Sequence, residues 1–166
     1  LQEIKNINQY LINETKHAPG SMLISSLQGT RPIFLELQAL TVASQFGSPQ
    51  RVISGIDHKH VVLIAAILEK YLHIRFSKQD IFFKVSGGLT LKDHTTDLGV
   101  ALALLSSYFQ QPLPEKTIAL AEISLTGQVK SIPNADIHVQ EAARFGFENL
   151  LVAKEQRDQT CTTSPR

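Results

Sequence analysis

The chain has 166 residues, 43% of them hydrophobic and 19% charged, and a net charge of +1. That is enough for one globular domain with a proper core, and it argues against a disordered chain. The near-neutral balance does not announce a nucleic-acid partner, and the single cysteine, Cys161, excludes an internal disulfide and a cysteine-rich zinc site.

Residues 1–20 are polar and end at a Pro19-Gly20 break. They read as a linker or arm. The first residue is Leu, so the chain is expected to be a domain of something longer. Its opening, "LQEIKNINQY", is no signal peptide, and no apolar run reaches the length of a membrane span. A reducing cytoplasm fits the cysteine usage.

"SMLISSL" and "PIFLELQALTV" flank Gly29-Thr30-Arg31-Pro32 and predict two strands joined by a turn. "FGSPQ" breaks the chain, and "RVISGI" is a further strand. From His58 to Leu72 the period changes. Val61, Ile64, Ala65, Leu68 and Leu72 recur at helical spacing, and Val62 and Leu63 widen the stripe, so most of this helix should be buried. "DIFFKVSG" is a strand closed by Gly87-Gly88. The loop "LKDHT" then runs into a helix from about Thr96 to Tyr108, smooth at Gly99, Ala101 and Ala103. "TIALAEISL" and "GQVKSI" meet at a tight turn at Thr126-Gly127. "ADIHVQEAARFGF" is helical, capped by Gly146, and "NLLVA" is a last buried strand. From residue 154 the composition turns polar, and fraying is expected there. Mixed strands and helices without strict alternation predict an α+β fold with a mixed sheet, its ordered domain spanning residues 21–153.

The common catalytic and nucleotide-binding motifs are absent, including the Gly-rich loop of P-loop ATPases and paired zinc-ligand histidines. His58 and His60 are two apart, which puts them on different sides of a helix. With no third ligand nearby in sequence, they read as surface histidines rather than a metal site. Asp93 and Asp97 are expected to divide two ordinary tasks, one capping the helix and the other solvating the loop.

Four blocks carry a resemblance. They are "PGSMLISSLQGTRPIFLELQALT", "FGSPQRVISGIDHKHVVLIAAILEKYLHI", "DIFFKVSGGLTLKDHTTDLGVALALLSSY" and "AEISLTGQVKSIPNADIHVQEAARFGF". In this order, from about Leu1 to Ala153, the chain resembles the C-terminal domain of the bacterial RadA (Sms) family of DNA-repair proteins. The resemblance implies a fold like the proteolytic domain of Lon (ribosomal protein S5 domain 2-like). It implies a location after a zinc finger and a RecA-like ATPase core, so Zn, ATP and Mg belong to parts outside this chain. Residues 1–12 would then be the connection leaving the ATPase core. Full-length members are implied to be hexameric ATP-driven motors on single-stranded DNA. They would work with recombination proteins such as RecA, with no membrane involved.

Lon-type peptidases carry a serine nucleophile in a D-G-P-S-A-G loop before a small-residue helix, and a lysine at the start of a later helix. Laid on that pattern, Thr95 takes the nucleophile position, with Thr96 the candidate after a shift of one residue. The lysine position falls near Asp136, which has no amine to accept the hydroxyl proton. Lys92 and Lys130 do not sit at the matching place. The resemblance therefore implies a non-catalytic scaffold with no cofactor of its own. It would form rings with copies of itself and bind single-stranded DNA by neutralising phosphates. Arg31, Arg51, Lys59 and Lys78 are the candidate DNA contacts, each weighed against a plain surface cation or an internal ion pair. A peptidase with a threonine nucleophile is the alternative, and a module recruiting recombination partners a third reading.

Overall fold

A computed structural model of the chain describes residues 18–158. Most of the expected linker, and the tail from residue 159 with Cys161, lie outside the described residues.

Strands β1 (Ser21–Gln28) and β2 (Arg31–Ala43) form an antiparallel hairpin, in register from Ser21 opposite Gln38 to Gln28 opposite Arg31. β3 (Arg51–Ser54) leads into helix α1 (His58–Leu72). A short 3-10 turn at Phe76–Lys78 then enters β4 (Gln79–Val85). A second 3-10 turn at His94–Thr96 opens helix α2 (Asp97–Phe109). β5 (Thr117–Leu120), the small β6 (Glu122–Ile123) and β7 (Val129–Lys130), helix α3 (Ala135–Arg144) and β8 (Asn149–Val152) follow. Six strands make one sheet in the order β3-β4-β2-β1-β5-β8, and β6 and β7 pair separately. The β1–β2 and β2–β4 pairs are antiparallel, whereas β3–β4, β1–β5 and β5–β8 are parallel. This is the expected α+β domain with a mixed sheet.

The two faces of the sheet are covered unequally. Leu35, Leu37 and Ala39 of β2 share one core with α1 and α2 residues such as Val61, Ile64, Val100 and Leu104. Side chains alternate along a strand. Phe34 therefore faces the other way, where its ring packs on Phe145 and Phe147 at the end of α3. On that second face α3 reaches β1, β5 and the start of β2. Beyond it, Leu40, Phe82 and Val52 lie side by side across β2, β4 and β3. Leu40 is 53% exposed and Val52 54%. A row of apolar side chains thus lies bare on an otherwise well-packed sheet.

The stripe expected on α1 needs correction at its edges. Val61, Ile64, Ala65 and Leu68 are buried as expected, while Leu63 and Leu72 are exposed and His60 is buried instead. The buried arc is rotated toward α2, because the helix packs on the sheet and on α2 together. "TIALAEISL" is not one strand either, since Ala121 interrupts it. The backbone there turns to the loop before α2: Ala121 N–H donates to Thr95 O at 3.2 Å, and Ala121 O accepts from Leu98 N–H at 3.1 Å. Finally, order does not stop at residue 154. Gln156 is buried, and its amide both donates to Ile132 O at 2.7 Å and accepts from Ile132 N–H at 3.1 Å. A polar residue can anchor a chain end when its whole hydrogen-bonding capacity is matched. Composition alone does not show this.

Candidate functional site

The loop in which the resemblance sought a nucleophile is held by local hydrogen bonds. Asp93 Oδ1 accepts from Thr95 N–H at 2.9 Å, so Asp93 caps the turn as expected. Thr96 Oγ1 donates to Asp93 O at 2.9 Å. Thr95 is buried, and its Oγ1 has no hydrogen-bond partner among the described residues. A hydroxyl nucleophile needs a base within hydrogen-bond reach and a path to substrate.

Asp136, where the resemblance places lysine, is exposed in the first turn of α3. The residue that turns inward is His138, which no sequence motif had singled out. On α3 the buried residues are Ala135, His138 and Ala142, spaced on one helical face. The apolar residues Ile137, Val139, Ala142, Ala143 and Phe145 stand only partly at helical spacing. Of these only Ala142 is fully buried and Ala143 is exposed. His138 Nδ1 lies 2.7 Å from Ser25 Oγ of the central strand β1, and its Nε2 is buried without a partner among the described residues. Ser25 is fully buried, so this Ser-His contact joins layers and offers no nucleophile to solvent.

Burial holds the His138 pKa below its ordinary value, with Asp93 and Asp136 opposing the shift. Native His138 therefore resists protonation that the unfolded chain accepts at about pH 6.5. Its contribution to stability is present above that pH and is lost as pH falls from there toward the lowered native value. Acid titration of stability should be steep in this window, and His138→Gln should flatten it. Equal slopes in the two proteins would show that His138 titrates as it does when unfolded.

The second carboxylate of the loop departs from expectation. Asp97 does not solvate the loop, being 2% exposed at the start of α2. Its Oδ2 accepts from Ile123 N–H of β6 at 3.0 Å. Its Oδ1 is hydrogen-bonded to Nε2 of His60, a buried residue of α1 rather than the surface histidine expected. His94 Nδ1, on a ring that is 66% exposed, lies 3.6 Å from the same oxygen. One carboxylate thus ties α1, α2 and β6 together. His60 and Asp97 are 37 positions apart, so spacing rules had nothing to detect.

The four candidate DNA contacts do not form one patch. Arg31 is exposed at the start of β2, beside the hairpin turn. Lys59 is exposed in the first turn of α1 and lines a recess of about 550 Å³ together with Lys92 and His94. Lys78 is exposed in the turn beyond the far end of α1. A helix of 15 residues is about 22 Å long, so Lys59 and Lys78 cannot grip one phosphate.

Arg51 is close to Lys78 in the fold, but its guanidinium is already engaged. It donates to Gln50 O at 3.0 Å, to Phe76 O at 2.9 Å, and to Gln79 O. It clamps the turn between α1 and β4. Arg51→Ala is therefore expected to lower stability by about 1–2 kcal/mol, through carbonyls left without a charged donor. Thermal melting checks this. An unchanged midpoint would mean that the clamp is dispensable.

Together the sheet and its packed helices define an α+β domain with a mixed six-stranded sheet. A family described as "Subunit ChlI of Mg-chelatase" matches residues 46–156. The DNA repair protein RadA of Aquifex aeolicus is 35% identical over 154 residues, covering 93% of this chain and 35% of that protein. RadA of Bacillus subtilis is 34% identical over 159 residues (95% of this chain, 35% of that protein), and RadA of Streptococcus pneumoniae 35% over 155 residues (93% and 37%). The chain belongs to the family of the matched domain and is RadA-related. It spans about a third of the length of the curated relatives it matches. Among the described residues, no helix is long and apolar enough to cross a membrane.

Proposed function

We propose that this chain is the non-catalytic, Lon-like scaffold domain of a cytoplasmic DNA recombination and repair ATPase. In this reading it helps assemble a homo-oligomeric ring, hexameric in the whole protein, and lends weak, sequence-blind affinity for single-stranded DNA. The relatives' name, DNA repair protein RadA, supports the setting. ATP hydrolysis, with its ATP and Mg, and the zinc site belong to segments outside this chain, and RecA-type recombinases are the expected partners.

The observation that carries the scaffold reading is the bare row of Leu40, Phe82 and Val52 on an otherwise covered sheet. Contiguous exposed apolar surface of this kind marks interaction sites. The cations Arg31, Lys59, Lys78 and Lys92 are modest in any one copy. Repeated around a ring they would act together on one strand, with affinity falling steeply as salt rises. The buried, unpartnered Thr95 Oγ1 speaks against the threonine-peptidase alternative.

The test measures solution mass at several concentrations, with and without labelled single-stranded DNA. Leu40→Glu with Val52→Glu should disperse the oligomer while the melting temperature holds, since both side chains are exposed. Lys59→Ala with Lys78→Ala should weaken DNA binding at low salt. A monomer at all concentrations, or DNA affinity insensitive to salt, would overturn the ring reading. Peptide turnover that disappears in Thr95→Ala would restore the peptidase.

A further inference from the structure

We propose that His60, His94 and Asp97 form a site for one divalent transition-metal ion of the zinc type, with an open fourth position facing the recess beside Lys59 and Lys92. This goes beyond the scaffold reading and does not depend on it. Two imidazoles and a carboxylate suit zinc, cobalt or nickel, whereas magnesium and calcium call for oxygen ligands. Each of the three residues offers a ligand atom, and these atoms all lie within 4.8 Å of one another.

The spacing matches the chemistry. Bonds of about 2.0–2.2 Å in a tetrahedral site set neighbouring ligand atoms roughly 3.3–3.5 Å apart. His94 Nδ1 and Asp97 Oδ1 are already 3.6 Å apart. His60 Nε2 and Asp97 Oδ1 share a hydrogen bond and must separate by about an ångström to admit an ion. For Nε2 to ligate, the N–H of neutral His60 moves to Nδ1, and Nε2 and the carboxylate oxygen become ligands.

The site is also oriented from outside. Ile123 N–H occupies Asp97 Oδ2, so Oδ1 alone is offered and the carboxylate binds through one oxygen. Outer hydrogen bonds of this kind fix a ligand's direction. His60 and Asp97 are buried on two packed helices, so two of the three donors already face one another before any ion arrives. His94 supplies the mobile third donor. Its ring is largely exposed, yet it sits against His60 with centroids 4.9 Å apart and its nitrogen near the shared oxygen. The remaining side opens to the recess of about 550 Å³. Lys59 and Lys92 on its wall favour an anionic oxygen, such as a phosphate or hydroxide, as the fourth ligand.

The experiment uses the whole chain, stripped with a chelator and titrated with Co²⁺ while visible absorption is recorded, then challenged with Zn²⁺. One equivalent of ion per chain, with the intense bands of tetrahedral cobalt abolished by zinc, is the expected result. Because buried His60 and Asp97 affect folding, the decisive variant is His94→Ala. It should keep the metal-free melting temperature and lose about tenfold or more in affinity, the scale seen when a metal site is perturbed. His58→Ala and Cys161→Ser should bind as the parent does. Absence of a cobalt spectrum, an octahedral one, full affinity in His94→Ala, or an equal loss in either control variant would each overturn the proposal.

Discussion

Replacing Asp97 with alanine is expected to destabilise the protein by about 3 kcal/mol, a large share of a typical domain's stability. The carboxylate is 2% exposed and accepts from Ile123 N–H while bonded to His60. Alanine removes both contacts and leaves a buried backbone donor and a buried imidazole nitrogen without their partner. Each orphaned group costs about 1–3 kcal/mol, whereas the loss of a negative charge from the first turn of α2 adds only a few tenths to about 1 kcal/mol. Desolvation therefore dominates over the helix dipole. Asp97→Asn keeps the shape and one acceptor, so it should lose about half as much. For a domain of this size, about 3 kcal/mol moves the melting midpoint by roughly 6–12 °C. Urea denaturation of the three proteins checks the order. A loss below about 1 kcal/mol in the alanine variant would mean that neither contact matters to folding.

The contrast between Asp93 and Asp97 shows where sequence reading stops. Both precede or begin a helix, where acids are usual, and Asp93 does cap the turn. What separates them is a partner on another helix and one on another strand, which local pattern cannot express. Elements defined by local rules were legible. The β1–β2 hairpin follows from alternation around Gly29-Thr30, and α1 runs from His58 to Leu72 as its apolar spacing indicated. Features defined by tertiary contact were not. Arg51 was read as a candidate DNA contact, yet carbonyls from a distant turn fill its guanidinium. His138 stands between the apolar Ile137 and Val139, which drew attention away from the face it shares with Ala135 and Ala142. The bare row on the sheet was also invisible. Leu40 and Val52 stand in apolar strand segments, and no local pattern shows that α3 covers only the other half of that face.

The small residues of α2 were legible as a sign of close approach, and Gly99 gives the sharpest test. A Cβ added there would lie 2.3 Å from Ile24 Cγ2 and 3.4 Å from Leu37 Cδ1. Ile24 is fully buried on the central strand β1, and its Cγ2 is fixed at a branched Cβ, so it cannot swing aside as a long side chain would. Two effects compete in Gly99→Ala. Helix propensity favours alanine by about 1 kcal/mol, and overpacking opposes it by about 1–3 kcal/mol. The clash should win, giving a net loss despite the better helix former. Gly99→Val adds two further methyl groups and gains less propensity, so about 3 kcal/mol or more is expected. Ala103, four residues on and likewise fully buried, should respond to Ala103→Leu in the same direction. The diagnostic partner is Ile24→Leu, which moves the branch away from Cβ. In that background Gly99→Ala should cost less than in the parent, a coupling that residues in direct contact show and distant ones do not. Equal costs in both backgrounds, or a rise in stability for Gly99→Ala alone, would mean that α2 does not lie against β1 at this distance.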